Sequence, residues 1–255
     1  KSLFEPVIRR SAGLGVVPGT GDADGYEHFH AFVDVLVVGG GVAGLAAALA
    51  AGRAGARVLL IEQVAHWGGR ALVDGAGVEG MPVGEWITAT LAALDALPNV
   101  ARRSRTMAAG AYDHGYVLAQ ERLSDHAPGA PGPRHRLWRV RARRVVIATG
   151  AIERPLAFAG NDLPGVMLAG AVRDFAALWG VSAGDRVVLV TNNDDAYRTA
   201  IALKSAGLDV PAILDAEHCR AVAEAGEARI DLDDETVNCA AGDFQFQIAH
   251  EVKNR

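Results

Sequence analysis

Hydrophobic and polar positions change period several times along this chain, and the order of the changes repeats. Residues 34–38 (DVLVV) are an apolar run behind one acid, residues 43–54 are small and apolar over a helical length, and residues 57–61 (RVLLI) are a second apolar run. Uninterrupted runs that short predict strands buried on both faces, so 34–61 reads as a β-α-β unit. The order returns at 185–190 (DRVVLV), with a helix over 196–206 and a strand over 209–214. Between the two units, residues 84–97 place apolar side chains at helical spacing and stop at Pro98. Residues 115–120 and 136–142 predict a strand pair about the Pro- and Gly-rich stretch 127–133, and 145–150 (VVIATG) predict a buried strand closed by a small-residue turn. Ahead of the first unit, residues 3–13 predict a short helix and 15–25 a Gly- and Asp-rich loop. Arg139, Arg141 and Arg143 alternate with Val140 and Ala142, which predicts a strand with one solvated face in preference to an anion patch. The last forty residues show weak periodicity.

At 255 residues the chain can bury a sizeable core. Its glycine content changes the picture: 30 of the 255 residues are Gly, with 10 Pro and no collagen period. That is about 12% against an ordinary ~7%, and it points to backbone positions of close approach or unusual dihedrals. The formal charge of −5 and a pI near 5.9 supply no basic footprint, so no nucleic-acid partner is expected. Residues 35–52 run 18 positions without a charge, near the length of a membrane span. Gly39, Gly40 and Gly41 would break a spanning helix there, so a strand followed by a buried helix is expected and no membrane partner. Cys219 and Cys239 are too far apart to signal a disulfide framework or a metal site, and a cytoplasmic location is expected. The chain opens on Lys1 without a secretory pattern, which leads us to expect a piece of a longer protein or a processed start.

Gly39, Gly41 and Gly44 fit the G-x-G-x-x-G spacing, directly after a strand and opening a helix. In that context Gly39 permits the tight turn, Gly41 removes a side chain that would block a pyrophosphate, and Gly44 lets helix pack on strand. The helix presents unpaired N–H groups and its positive dipole end to the phosphates. Glu62, ending the second strand, can accept hydrogen bonds from both ribose hydroxyls and disfavours a 2′-phosphate. Gly68 and Gly69 (HWGGR) offer a second close approach, and Arg70 a cation. The fold class expected is therefore α/β, a Rossmann-like FAD/NAD(P)-binding domain with a parallel sheet, plus a second, inserted nucleotide-type β-α-β lobe. The expected division is an arm over 1–33, the dinucleotide domain over 34–180 and an incomplete second lobe over 181–255. In that lobe Thr191, Asn193 and Ala196 occupy the three glycine places, and Asp194 and Asp195 stand at the helix start where they can cap it. A lobe that binds no dinucleotide is expected.

These segments resemble the alpha-subunit family of heterotetrameric sarcosine oxidases, within the flavoproteins that carry two dinucleotide-binding domains. The resemblance rests on FEPVIRRSAGLG, DVLVVGGGVAGLAAALAAGRAGARVLLIE, YDH at 112–114, VVIATGAIERPLAFAGNDLPGVMLAGAV and TNNDDAYRTA, and fades beyond about residue 216. It implies a noncovalent NAD at the first glycine loop, with FAD as the alternative occupant, and FAD and FMN associated with a beta-type flavin-bearing partner subunit. It implies oxidative demethylation of sarcosine or a related secondary amine by a complex that includes smaller subunits. Another domain of the family's alpha subunit handles folate; that domain and the family's ferredoxin-like region are not in this sequence. Carried over, the cofactor contacts are Gly39, Gly41, Val42, Ala43 and Gly44, then Glu62, Gln63 and Val64, then Gly69 and Arg70. An adenine contact falls near Met107 or Ala108, and Thr149 with Gly150 closes the site. VNCAAGD at 237–243 echoes a flavin-closing strand and turn, an echo we take as coincidence because the intervening length is too short for an insertion of normal size.

No catalytic residue is expected within the chain. A disulfide reductase needs a close cysteine pair, yet no cysteine precedes 219, and neither a Gly-x-Ser-x-Gly elbow nor a Ser-His-Asp pattern occurs. Glu27, His28 and His30 could ligate a metal, but histidines alternating on an extended segment are expected at the surface, and no metal is expected. Two alternatives stay open: a self-contained FAD-dependent amine or amino-acid oxidoreductase, and a noncatalytic subunit whose dinucleotide stabilises an assembly.

Overall fold

The computed structural model describes residues 4–13, 19–75, 77–127, 129–155, 157, 158 and 160–215, with the strand segments 220–221, 229–233, 236–241 and 244–249. In chain order the elements are α1 (Glu5–Ser11), β1 (Gly25–Val38), α2 (Val42–Arg53), β2 (Val58–Ile61), α3 (Ala71–Asp74), β3 (Gly77–Val78), β4 (Met81–Pro82), α4 (Val83–Asp95), β5 (Val100–Arg103), β6 (Thr106–Tyr112), β7 (Tyr116–Arg122) and β8 (Pro133–Ile147). There follow α5 (Ala169–Trp179), β9 (Arg186–Thr191), α6 (Asp195–Ser205), β10 (Asp209–Asp215), β11 (Arg220–Ala221), β12 (Arg229–Asp233), β13 (Thr236–Ala241) and β14 (Phe244–Ala249). The chain divides into two compact units, one of Lys1–Val38, Ala47–Trp67 and Leu97–Ile147, the other of Gly39–Ala46, Gly68–Ala96 and Ala148–Arg255.

The first unit holds a six-stranded sheet in the order β5-β2-β1-β8-β7-β6. β5, β2, β1 and β8 pair in parallel, and β7 and β6 add antiparallel. Leu36, Val37 and Val38 of β1 and all four residues of β2 are buried, as expected of parallel strands covered on both faces. β1 departs from expectation in its start, at Gly25 in place of Asp34. Its partner explains the extension: β8 runs 15 residues, and its register with β1 continues from Val38↔Ile147 back to Gly25↔Pro133. Residues 25–33 hold no long apolar run, and the long neighbouring strand satisfies their backbone groups. The end of β8 also differs from expectation, because Val145 and Val146 are half-buried and Ile147 is 64% exposed. Arg141 and Arg143 are exposed and alternate with buried Val140 and Ala142, the solvated face that the alternation predicts, whereas Arg139 is half-buried. Below α2, a Cβ on Gly52 would lie 2.5 Å from Val100 Cγ2, so glycine there lets the helix sit close to the start of β5.

In the second unit, α4 buries Val83, Trp86, Ile87, Thr90 and Leu94 and ends ahead of Pro98. Its continuation is the second β-α-β unit: β9 and β10 pair in parallel, α6 connects them, and Val172, Leu189, Ala200, Leu203, Val210 and Ile213 form the core. α5 contributes Val172 to that core and was not legible as a helix in the sequence. β13, which contains most of the VNCAAGD stretch, lies between β12 and β14 in a separate antiparallel sheet. Gly242 and Asp243 lie outside the described residues. Among the described residues no helix is long and apolar enough to cross a membrane.

Candidate functional site

The glycine loop is shaped by backbone crowding at two of its three glycines. Gly39 has φ +107°, and a Cβ there would fall 2.2 Å from the Ala148 carbonyl oxygen. A Cβ on Gly44 would fall 1.8 Å from the Gly39 carbonyl oxygen. Gly41 differs: a Cβ there would meet nothing within 4 Å. The first and third glycines therefore serve the fold, and the middle one keeps a side chain out of the space beside the loop. The bond from Leu45 N–H to the Gly41 carbonyl, 2.9 Å, begins α2. Helix geometry then leaves the N–H groups of Val42, Ala43 and Gly44 without intrahelical acceptors, and no acidic side chain stands in that first turn.

Two further segments of the same unit adjoin the loop. Ala148 and the Thr149 amide flank Gly39, and Gly150 turns the chain at φ +71°. On another side Gly68 forms a parallel bridge with Gly41, and its N–H donates to the Gly40 carbonyl at 2.7 Å. A Cβ on Gly69 would lie 3.2 Å from Gly41 Cα, and one on Gly68 would lie 2.4 Å from Ile87 Cδ1. The glycine pair thus braces the loop between it and α4, and the Gly68 N–H is already spent on protein. Ala148 and Ile87 were not singled out by sequence; their signal was only their neighbours' small size.

Arg70 sits in an alternating charge network. Its guanidinium pairs with Asp174 at 3.3 Å and with Asp74 at 3.6 Å. Asp74 also takes Arg173 at 3.1 Å, and Arg173 reaches Asp195 at the start of α6 at 2.8 Å. Arg173 is 1% exposed, while Glu153 accepts the Gly170 N–H at 2.7 Å beside the same helix. Arg70 is held by carboxylates, a setting that its position after the glycine pair did not disclose.

In the first unit Glu62 is buried at the end of β2, and its Oε1 accepts the Val64 N–H at 3.0 Å. The Gln63 carbonyl accepts from Arg122 at 2.6 Å, so the segment 62–64 is fixed from two sides. Ala108 packs against the sheet core, and Met107 beside it on β6 is exposed.

The second lobe's loop closes on itself. Thr191 Oγ1 donates to the Asn193 carbonyl at 2.8 Å and accepts the Asn193 N–H at 3.0 Å, and Asn193 Oδ1 accepts the Asp195 N–H at 3.0 Å. Asp194 stands at the N-cap without a side-chain capping bond. The expected capping by Asp194 and Asp195 is therefore made by Asn193, and Asp195 turns to Arg173 instead. Glu27 separates from the two histidines: it pairs with Arg136 at 2.9 Å, while His28 and His30 are exposed on the alternate face of β1. Among the described residues no group of three or more metal-ligating side chains occurs.

Fold and loop geometry define a class, a Rossmann-like α/β fold with a glycine loop of the dinucleotide-binding kind, and residues 34–98 match the family described as FAD dependent oxidoreductase. L-proline dehydrogenase from P. horikoshii shares the fold, with a TM-score of 0.60 and 24% identity over 91% of this chain and 43% of that one. In sequence the chain is similar to sarcosine oxidase subunit alpha of Rhizobium meliloti (strain 1021), 45% identical over 90% of this chain and 24% of the relative. It is 47% identical to sarcosine oxidase subunit alpha of Corynebacterium sp. (strain P-1), over 80% of this chain and 21% of the relative. The chain spans about a quarter of the length of these curated relatives.

Proposed function

We propose that this chain is the dinucleotide-binding part of an oxidoreductase subunit that supports oxidative demethylation of sarcosine or a related secondary amine within a multi-subunit complex. The observation that carries the reading is the contrast within one unit between two loops. At Gly41 a Cβ would meet open space ahead of an acid-free helix start, whereas the loop at 191–195 turns its own side chains onto the Asn193 and Asp195 amides and carries Asp194 and Asp195. The first can receive a pyrophosphate and the second repels one.

NAD is the occupant proposed for the glycine loop, held through the N–H groups of residues 42–44. FAD is the second reading, favoured by the family match at 34–98. A dinucleotide supplies redox capacity or, if it does not react, stabilises the folded subunit. The chain's own residues bind and orient it, and the amine pocket and oxidising flavin belong to a partner subunit in this reading. Mass spectrometry of the ligand released on denaturing the purified complex, separated into its subunits, tests the assignment. NAD released from this subunit is expected; release of FAD would replace it with the second reading, and release of no dinucleotide would sink both.

A further inference from the structure

Beyond the buried end of β1, where residues 25–33 run beside β8 and β8 beside β7, the sheet of the first unit has a face that its core does not use. Val117, Ala119, Val140 and Ala142 turn into the core, so the residues between them turn the other way. Register then sets Phe32 beside Arg141 and His30 beside Arg139 on β1 and β8, with Tyr116 opposite Arg141 on β7. Apolar rings on this face are open to solvent: Phe32 is 67% exposed, and Tyr112 at the end of β6 is 58% exposed. Arg141 lies over the Tyr116 ring at 4.5 Å.

Phe32, Arg57, Arg141 and Arg143 line a cleft of about 240 Å³ together with Val33 and Ala142. A carboxylate at this end of the face, Asp34, pairs with Arg57 at 3.2 Å and with Arg143 at 3.5 Å. Those pairings pull Asp34 below the usual carboxylate range, chiefly through its hydrogen bond with Arg57. Among the described residues Asp34 is the one carboxylate paired with these guanidiniums, which leaves the cleft positively charged in a chain whose formal charge is −5. Each guanidinium carries five N–H donors, so Asp34 and Tyr116 orient these cations without using up their capacity. Exposed rings among oriented arginines have the composition of a protein interface, where aromatic residues and Arg concentrate.

We infer that this sheet face docks an acidic surface of a partner subunit, one carboxylate side chain of which enters the cleft between Arg57, Arg141 and Arg143 beside the Phe32 ring. Charge complementarity selects the acidic surface, and the exposed rings select a protein over a polyanion that offers no apolar contact. The inference rests on the proposed multi-subunit assembly but not on the dinucleotide.

The test uses the full-length protein assembled with its partner subunits and carrying Phe32→p-benzoylphenylalanine, a photo-cross-linking residue. After irradiation, mass spectrometry of the digested product is expected to place the cross-link in a carboxylate-rich segment of another subunit. Arg141→Gln with Arg143→Gln is expected to reduce its yield about tenfold, and Arg141→Lys with Arg143→Lys to keep most of it. An assembled complex that gives no cross-link, or one within the same chain, to a second copy, to nucleic acid or to a basic segment, overturns the docking surface and leaves the proposed function standing. Absence of any stable complex by native mass spectrometry overturns both.

Discussion

A Gly44→Val variant loses both the dinucleotide and the folded glycine loop, whereas Gly41→Val loses the dinucleotide alone. The difference follows from what each new side chain meets. At Gly44 the Cβ alone falls 1.8 Å from the Gly39 carbonyl oxygen, a backbone atom that no rotamer change can clear. Overpacking ordinarily costs about 1–3 kcal/mol, and a rigid backbone contact belongs at the top of that range. With about 2–4 °C lost per kcal/mol in a protein of this size, the melting temperature falls by about 10 °C. At Gly41 a Cβ meets nothing within 4 Å, so valine fits the folded chain and blocks only the ligand. Affinity there is expected to fall at least about a hundredfold, equivalent to ~2.7 kcal/mol. Since bound dinucleotide itself stabilises the folded state, the melting temperature of Gly41→Val is to be compared with ligand-stripped wild type, and the two should agree within about 2 °C. Equal destabilisation by the two substitutions would show that Gly41 is structural and remove the argument for a phosphate beside it.

The second large effect concerns Arg173. Replacing Asp74 and Asp195 together by Asn destabilises the protein more than replacing Arg173 by Met. Arg173 is 1% exposed, and its Nε and Nη1 find no hydrogen-bond partner among the described residues. Asp74 approaches its Nη2 at 3.1 Å as an ion pair, without the geometry of a hydrogen bond. A buried cation left without carboxylates costs about 3–5 kcal/mol. The Asp74 and Asp195 side chains are 23% and 38% exposed, which weakens each pair by solvent screening and sets the double Asn variant near ~3 kcal/mol. Methionine at 173 removes the cation with its unmet donors and fills the volume, while both carboxylates can rehydrate, so about 1 kcal/mol is expected. Urea unfolding midpoints at constant slope distinguish the two. If Arg173→Met proved the more damaging, the network would be a net source of stability and not a fixed but costly link between α3, α5 and α6.

Much of the fold was legible because the deciding information is local. An apolar run, three glycines at set spacing, a second run and an acid place β1, α2, β2 and Glu62, and the same order places β9, α6 and β10. Replacement of glycine by Thr191 and Asn193 was enough to separate the two loops, since a side chain in a phosphate loop is a local fact. Asn193, rather than the adjacent acids, makes the capping bond because only it reaches the Asp195 N–H. The helix at 169–179 carries no start signal in the sequence, since Leu168 stands at its N-cap and makes no side-chain capping bond.

Sequence alone thus determined the class of fold and the contrast between the two loops, because each depends on which side chains are absent within a few residues. Tertiary structure decided the rest. The start of β1 at Gly25 depends on a strand more than a hundred residues away in sequence, since β8 supplies the partners for that stretch of backbone. The bracing of the loop by Gly68 and Gly69, the capture of Arg70 by Asp174, and the burial of Arg173 between Asp74 and Asp195 all join residues distant along the chain. Charge pairing and close packing act through space, so no spacing in the sequence records them.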